Sequence, residues 1–394
     1  MQNDKTQRRR EEPPEPRRED ILKLHENGKL RMVSRTRLES LQDLRTIYTP
    51  GVAEISKMIE ADRGRRFEYT AVANTVAVVT NGTAVLGLGD IGVDGALPVM
   101  EGKSVILIEM ADVSAMPLLV DSHESSEIIE TVQRVAATFG GVLLEDIAAP
   151  QCFEVEDALK ETLDIPVFHD DQHGTAVVVM AALMSALEIS GKDASVMKVV
   201  ISGAGAAGCA VARFLLNYGV ADVILVDRAG AVYRGREEHM NQAKQQIASE
   251  TNEENESGSL EDVMEGKNVF IGLSVAGLVS KDMVRSMAPE PIVFAMANPV
   301  PEIWPEEAME AGAVAAEDGR NINNALGFPG LFRGALDARA TEINEDMKVA
   351  AARALAHAAP DGELVPDFMD REVHRRVAKA VAEAARNSGV ARKK

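Results

Sequence analysis

The chain has 394 residues, 46% hydrophobic and 26% charged, with 42 basic against 62 acidic side chains. A net charge of -20 and an aromatic content of 4% exclude a nucleic-acid binder, which needs a basic face and stacking platforms. The composition is that of a globular protein, and the length favours two hydrophobic cores over one.

Residues 1–19 carry charges and prolines without apolar periodicity and are expected to form a disordered tail. They contain no apolar signal core. Cys152 and Cys209 are the only cysteines, far apart and in apolar surroundings. Two buried free thiols fit a reducing compartment, so a cytoplasmic location is expected. The longest strongly apolar stretch, residues 176–187, is too short to span a bilayer, and no membrane association is expected.

Residues 20–165 mix short strands and helices and are expected to form an N-terminal mixed α/β domain. TVAVV (75–79), AVLGL (84–88), SVILI (104–108) and GVLLE (141–145) read as strands. Residues 125–140 read as an amphipathic helix, with Ile128, Ile129, Val132, Val135 and Ala136 at helical spacing. Ser125 or Ser126 is its expected cap, and Gly140 its end.

Residues 166–394 are expected to form a Rossmann-type parallel-sheet dinucleotide-binding domain followed by C-terminal helices. An apolar helix over 174–192 comes first, expected to be buried between the two halves. The strand VMKVVIS, the turn GAGAAG, a helix and the strand ADVILVD follow, then strands at NVFIGL and PIVFAMA. The overall class is α/β. In the turn, Gly203 permits a tight bend, Gly205 lets a pyrophosphate approach, and Gly208 lets helix and strand pack closely. Ala204, Ala206 and Ala207 complete this phosphate loop. Asp227 lies 24 residues after Gly203 at the end of the next strand, where a carboxylate accepts hydrogen bonds from an adenosine ribose. A carboxylate repels a 2′-phosphate, so NAD is slightly favoured over NADP, and Arg228 beside it softens that preference.

Two adjacent acidic pairs end strands: Glu145–Asp146 in LLEDIAAPQCFE and Asp170–Asp171 in PVFHDDQHGTA. Neighbours on a strand point to opposite faces, so both members of a pair serve one site only where the chain turns. Carboxylates so placed suit Mg2+ or Mn2+. His169 and His173 read as supporting or packing groups. The pentapeptide VMEGK occurs at 99–103 and again at 263–267. The second copy follows a short helix, so Gly266 reads as its C-terminal cap and Lys267 as a cation at its negative end. Nothing else repeats, so duplication is not needed.

The motifs YTPGVAEI, VTNGTAVLGLGDIG, PVMEGK, GGVLLEDIAAPQCFE, PVFHDDQHGTA, GAGAAG, FAMANPVPEI and INNALGFPGLFRGALDARATEIN together resemble the short prokaryotic form of malic enzyme, from about residue 20 to the C-terminus. The resemblance implies divalent-metal-dependent oxidative decarboxylation of L-malate to pyruvate and CO2 with reduction of NAD(P). It assigns metal ligation to Glu145, Asp146 and Asp171, with Asp170 as a supporting acid, and proton chemistry to Tyr48 and Lys103. Asn298 and Asn324 are implied substrate contacts, Asn298 also lying beside the nucleotide. Lys103 is expected to act as a neutral base, and a homodimer or higher homo-oligomer is implied. The run AAEDGRNINN before Asn324 is shorter than the family's. Two alternatives stand beside this reading: an oxaloacetate decarboxylase or malolactic-type lyase on the same site, and a catalytically silent sensor of dinucleotide or organic acid.

Overall fold

The computed structural model describes residues 15–85 and 88–392. Most of the expected tail lies outside the described residues, and a helix begins at Arg18. The first sheet is four-stranded and parallel, in the order β2-β1-β3-β4. Its strands are β1 (Thr75–Thr80), β2 (Ser114–Leu119), β3 (Gly141–Leu144) and β4 (Val167–His169).

Two expected strands are absent. SVILI belongs to the long helix Gly92–Ala111, whose buried residues are Ala96, Met100, Ser104, Leu107 and Ala111. That spacing follows the helical period, and it overrides the strand preference of the valine and isoleucines. Asp112 closes the helix in the left-handed conformation, with its N–H bonded to Ile108 O. AVLGL is no strand either: Val85 and Gly89 form an isolated bridge, and Leu86 and Gly87 lie outside the described residues. Conversely, β2 was not among the expected strands, and it contains Pro117. It is an edge strand, where a missing N–H is tolerated. The helix Ser125–Val135 is as expected but is capped differently. Its N-cap is Glu124, and the Ser122 hydroxyl accepts from Glu124 N and donates to Glu127. At its far end a 3-10 turn follows, and Gly140 serves a close approach instead, because a Cβ there would lie 2.4 Å from Val72 O.

The second sheet has the order β10-β9-β8-β5-β6-β7. It comprises β5 (Lys198–Ser202), β6 (Asp222–Asp227), β7 (Gly230–Ala231), β8 (Val269–Gly272), β9 (Ile292–Ala295) and β10 (Ala315–Asp318). All its pairings are parallel except β6 with β7. This is the expected Rossmann-type parallel sheet, with two strands that were not expected at its edges, β10 and the two-residue antiparallel β7.

The apolar helix Thr175–Ser190 joins the halves. Every residue from Thr175 to Leu183 is buried, and one continuous core holds Val76 and Phe168 of the first sheet with Val199 and Ile201 of the second. Together with the turn before it, Asp170–Ser190 reaches 21 residues, long and apolar enough to cross a membrane, but 72% of its apolar window is buried inside the fold. Its apolarity is spent on the core. Cys152 and Cys209 are free and buried, as expected.

Candidate functional site

The dinucleotide turn has the three glycine roles expected. Gly203 sits at φ +117 with a would-be Cβ 2.5 Å from Leu273 O, and a Cβ at Gly208 would lie 1.8 Å from Gly203 O. At Gly205 a Cβ would meet nothing within 4 Å, which is the room a pyrophosphate requires. The N-terminus of the helix Ala206–Tyr218 opens there, offering free backbone N–H groups to an anion. A cleft of about 1590 Å³ runs from this turn past Asp227 and Arg228 to Lys244. These features fit a dinucleotide.

Asp227 departs from expectation. Its Oδ1 accepts from Arg236 Nη1 at 2.9 Å and from Ala229 N at 2.9 Å, and its Oδ2 accepts from Arg236 Nη2 and Lys244 Nζ, each at 2.5 Å. Burial alone would raise its carboxyl pKa, but the bonds from Arg236 and Lys244 outweigh burial and hold it well below the usual range. Both oxygens are engaged, and two cations cancel the one negative charge. The repulsion on which a preference for NAD was built is therefore largely neutralised. Arg236 and Lys244 escaped the sequence reading because they lie 9 and 17 residues beyond Asp227, outside any motif.

The acidic pairs converge beside Lys103. Lys103 Nζ lies 2.5 Å from Asp170 Oδ2 and 3.1 Å from Glu145 Oε1, with the Phe328 ring centroid 4.8 Å away. Each pair sits where the chain leaves its strand. Asp146 adopts φ 53 just after β3, and Asp170–Gly174 forms a π-helical turn between β4 and the buried helix. The turns meet where Asp146 N donates to Asp171 Oδ2 at 2.9 Å. Asn324 completes the corner, its Nδ2 donating to Asp170 O and Oδ2 at 3.2 Å and its Oδ1 accepting from Thr175 Oγ1.

Glu145, Asp146 and Asp170 are buried. Burial and the neighbouring carboxylates push Glu145 well above its usual range, with Lys103 opposing only in part. For Lys103, burial pulls downward, but Asp170 and Glu145 outweigh it, and the ammonium is held well above the ordinary lysine value. To be the neutral base expected, Lys103 would therefore need a nearby cation to oppose these carboxylates. Its ammonium sits between Glu145 and Asp170, and among the described residues no three acidic or histidine side chains stand in ligating arrangement. The donor chemistry nevertheless fits a hard cation: Glu145 and Asp170 pair with one ammonium, Asp171 lies close enough to act on it, and Asp170 Oδ1 is buried without a hydrogen-bond partner.

Neither Tyr48 nor Asn298 makes a side-chain hydrogen bond to this cluster among the described residues. Tyr48 is 65% exposed, and Asn298 is exposed at the end of β9. The second VMEGK copy is structural, as expected. Gly266 has φ +70 just past the helix Leu260–Met264, and Lys267 Nζ donates to Glu256 Oε2 at 2.8 Å and to Glu265 O at 3.4 Å.

Comparison with known proteins settles the family. The description "Malic enzyme, N-terminal domain" matches residues 27–160, and "Malic enzyme, NAD binding domain" matches residues 172–322 and 305–386. The chain belongs to the malic enzyme family. It is 52% identical to the bifunctional malic/malolactic enzyme of Bacillus subtilis, across 95% of this chain and 94% of that one. It is 50% identical to the NAD-dependent malic enzyme of Geobacillus stearothermophilus, across 94% and 79%. The crystal structure of the malic enzyme from Pyrococcus horikoshii superposes with a TM-score of 0.93 at 42% identity, covering 96% of this chain and 92% of that one.

Proposed function

We propose that the protein is an NAD(P)-dependent malic enzyme, oxidising L-malate at C2 and releasing CO2 to give pyruvate. One observation carries the reading: Lys103 lies within an acidic cluster drawn from two strand ends, in a chain that also builds a dinucleotide turn. Glu145, Asp146 and Asp171 are the residues that would hold a divalent cation, Mg2+ or Mn2+. Such a cation supplies positive charge that polarises the oxygens of malate and favours their ionised forms. Lys103 and Asp170 handle the proton of the C2 hydroxyl. Asp170, bonded to Lys103, positions it, and a bound cation would oppose the ammonium and favour the neutral amine that acts as the base. Asn324, bonded to Asp170, and Asn298 orient the substrate carboxylate, and Tyr48 delivers a proton to carbon after CO2 departs.

The phosphate loop Gly203–Gly208 and the Asp227–Arg228 step hold the nucleotide. With Asp227 neutralised by Arg236 and Lys244, the slight advantage expected for NAD shrinks, and both nucleotides are accepted. The catalytic unit is assigned to residues 20–165 and nucleotide binding to 166–394, with a cytoplasmic location supported by the two buried free thiols. A homodimer is supported by the N-terminal segment: no side chain in residues 15–71 is buried, and Leu22, Met32, Val33, Leu41 and Tyr48 are all more than half exposed. A second copy seated there would cover this surface.

Following reduced nucleotide with malate and Mn2+ tests the reading. Absorbance rises with NAD and with NADP in the wild type. Lys103→Ala abolishes turnover, whereas Lys267→Ala keeps it and lowers stability by about 1 kcal/mol through its lost hydrogen bonds. Folded protein that reduces neither nucleotide would falsify the assignment. A malolactic-type lyase is separated by its product, lactate formed without net nucleotide reduction.

A further inference from the structure

Glu156 is a buried carboxylate with no part in the chemistry above. It lies on the helix Gln151–Thr162 and is 3% exposed. Its Oε1 accepts from the backbone N–H of His169 at 3.1 Å and from Lys160 Nζ at 2.7 Å. Its Oε2 accepts from Gln172 Nε2 at 3.2 Å and from His173 Nε2 at 3.0 Å. Three of these four donors bracket Asp170 and Asp171: one precedes the pair and two follow it. A single π-helical turn is a rare and poorly self-supporting backbone form. Here it is tied from outside, at both ends, by one carboxylate. On the far side Lys348 Nζ contacts His173 Nδ1 at 3.4 Å, so the same turn is also braced against the helix Glu345–Ala356.

We infer that Glu156 is the positioning residue of the acidic turn, holding Asp170 against Lys103 and Asp171 against the Asp146 N–H so that a divalent cation can be bound. Hydrogen bonds one step out from a cation's ligands orient those ligands, and their loss typically weakens metal binding about 10–100-fold. The inference rests on the reading of the cluster as a cation site. It adds a residue outside the cluster itself that decides whether the cluster is assembled. A purely architectural role would give a different result. Glu156 would then only fasten a helix to the core, and its loss would lower stability and weaken every ligand together.

The test uses the full chain with Mn2+ alone as probe, free Mn2+ being read by electron paramagnetic resonance. NAD(P) affinity is measured separately by calorimetry, and kcat and KM for malate by initial rates. Glu156→Gln keeps the shape and one acceptor for the His169 N–H but loses the second acceptor oxygen and the charge. Glu156→Ala removes everything. The expected result is Mn2+ binding weakened about tenfold in Glu156→Gln and more in Glu156→Ala. KM for malate rises in both, and nucleotide affinity stays within about twofold of wild type. If Glu156→Ala does not fold, the isosteric Glu156→Gln carries the test. Unchanged Mn2+ binding in the folded variants overturns the inference. So does a parallel fall in Mn2+ and nucleotide binding. Wild-type protein that binds no Mn2+ instead overturns the cation reading beneath it, so the two failures are distinct.

Discussion

At Gly174 a single hydrogen atom separates a working cluster from a blocked one. A Cβ there would lie 1.9 Å from Asp170 Oδ1 and 3.4 Å from Asn324 Nδ2. Backbone conformation is not the reason, since Gly174 has helical φ and ψ. Gly174→Ala must therefore push the Asp170 carboxylate off Lys103. Kinetics should show kcat falling about 10²-fold, the cost of misplacing a catalytic group by an ångström, while circular dichroism stays that of the wild type. A kcat within twofold of wild type would mean that Asp170 need not stand where it does. The sequence made the acids themselves legible, because their type and place at strand ends are local properties. It did not disclose Gly174's neighbour, the Asp227 clamp or the ties to Glu156. Each is a meeting of side chains brought together only by the fold, and no spacing encodes which buried cation a given carboxylate will find.

Elements were legible where periodicity and context agreed. β1, β3, β5 and β6, the helix Thr175–Ser190 and the terminal helix Arg371–Asn387 could all be read from apolar pattern and punctuation. The pattern failed where four apolar residues in a row, 105–108, fitted either state. There the arbiter was the longer stretch, with Met100, Ser104, Leu107 and Ala111 on one face. It failed again where Pro117 occupied an edge strand. A third feature is invisible to apolar counting, namely how closely two helices approach. Phe328–Ala338 lies against Arg371–Asn387 through Gly330 and Gly334. A Cβ at Gly330 would stand 2.6 Å from Val377, and one at Gly334 would stand 2.7 Å from Val381 and 2.5 Å from Ala378 O. The carbonyl cannot yield as a side-chain tip does. Gly334→Ala should therefore force the helices apart and cost about 1–3 kcal/mol, seen as a lower urea midpoint. Because Phe328 opens this helix over Lys103, activity should fall with it. An unchanged midpoint would show that the contact tolerates separation.

The whole molecule divides its labour between two parallel sheets, with the cluster at the seam and one buried helix running through it. A third component, residues 15–71, has no fully buried side chain, and Phe67 is the one hydrophobic of it that packs against a core among the described residues. Its helices leave large apolar side chains exposed, and exposed apolar patches of this kind mark interfaces. The helix Leu41–Ile47 shows this most clearly, with Leu41 79% and Leu44 41% exposed, and Tyr48 directly after it. The sequence showed the apolar residues but not their exposure, so the expectation of a dimer came only from resemblance. If a second copy covers this face, Leu41→Glu with Leu44→Glu places charges in the interface, and burying unpaired charge is strongly unfavourable. Sedimentation of the double variant should give a single-chain species near 42.4 kDa, where the wild type sediments as a dimer. Malate turnover should be lost with the partner, because Tyr48 is carried on the released surface. Nucleotide binding, built within one chain from Gly203 to Lys244, should survive. A wild type that sediments as a monomer with full activity would remove the interface, and Tyr48 would then have to reach Lys103 by movement within its own chain.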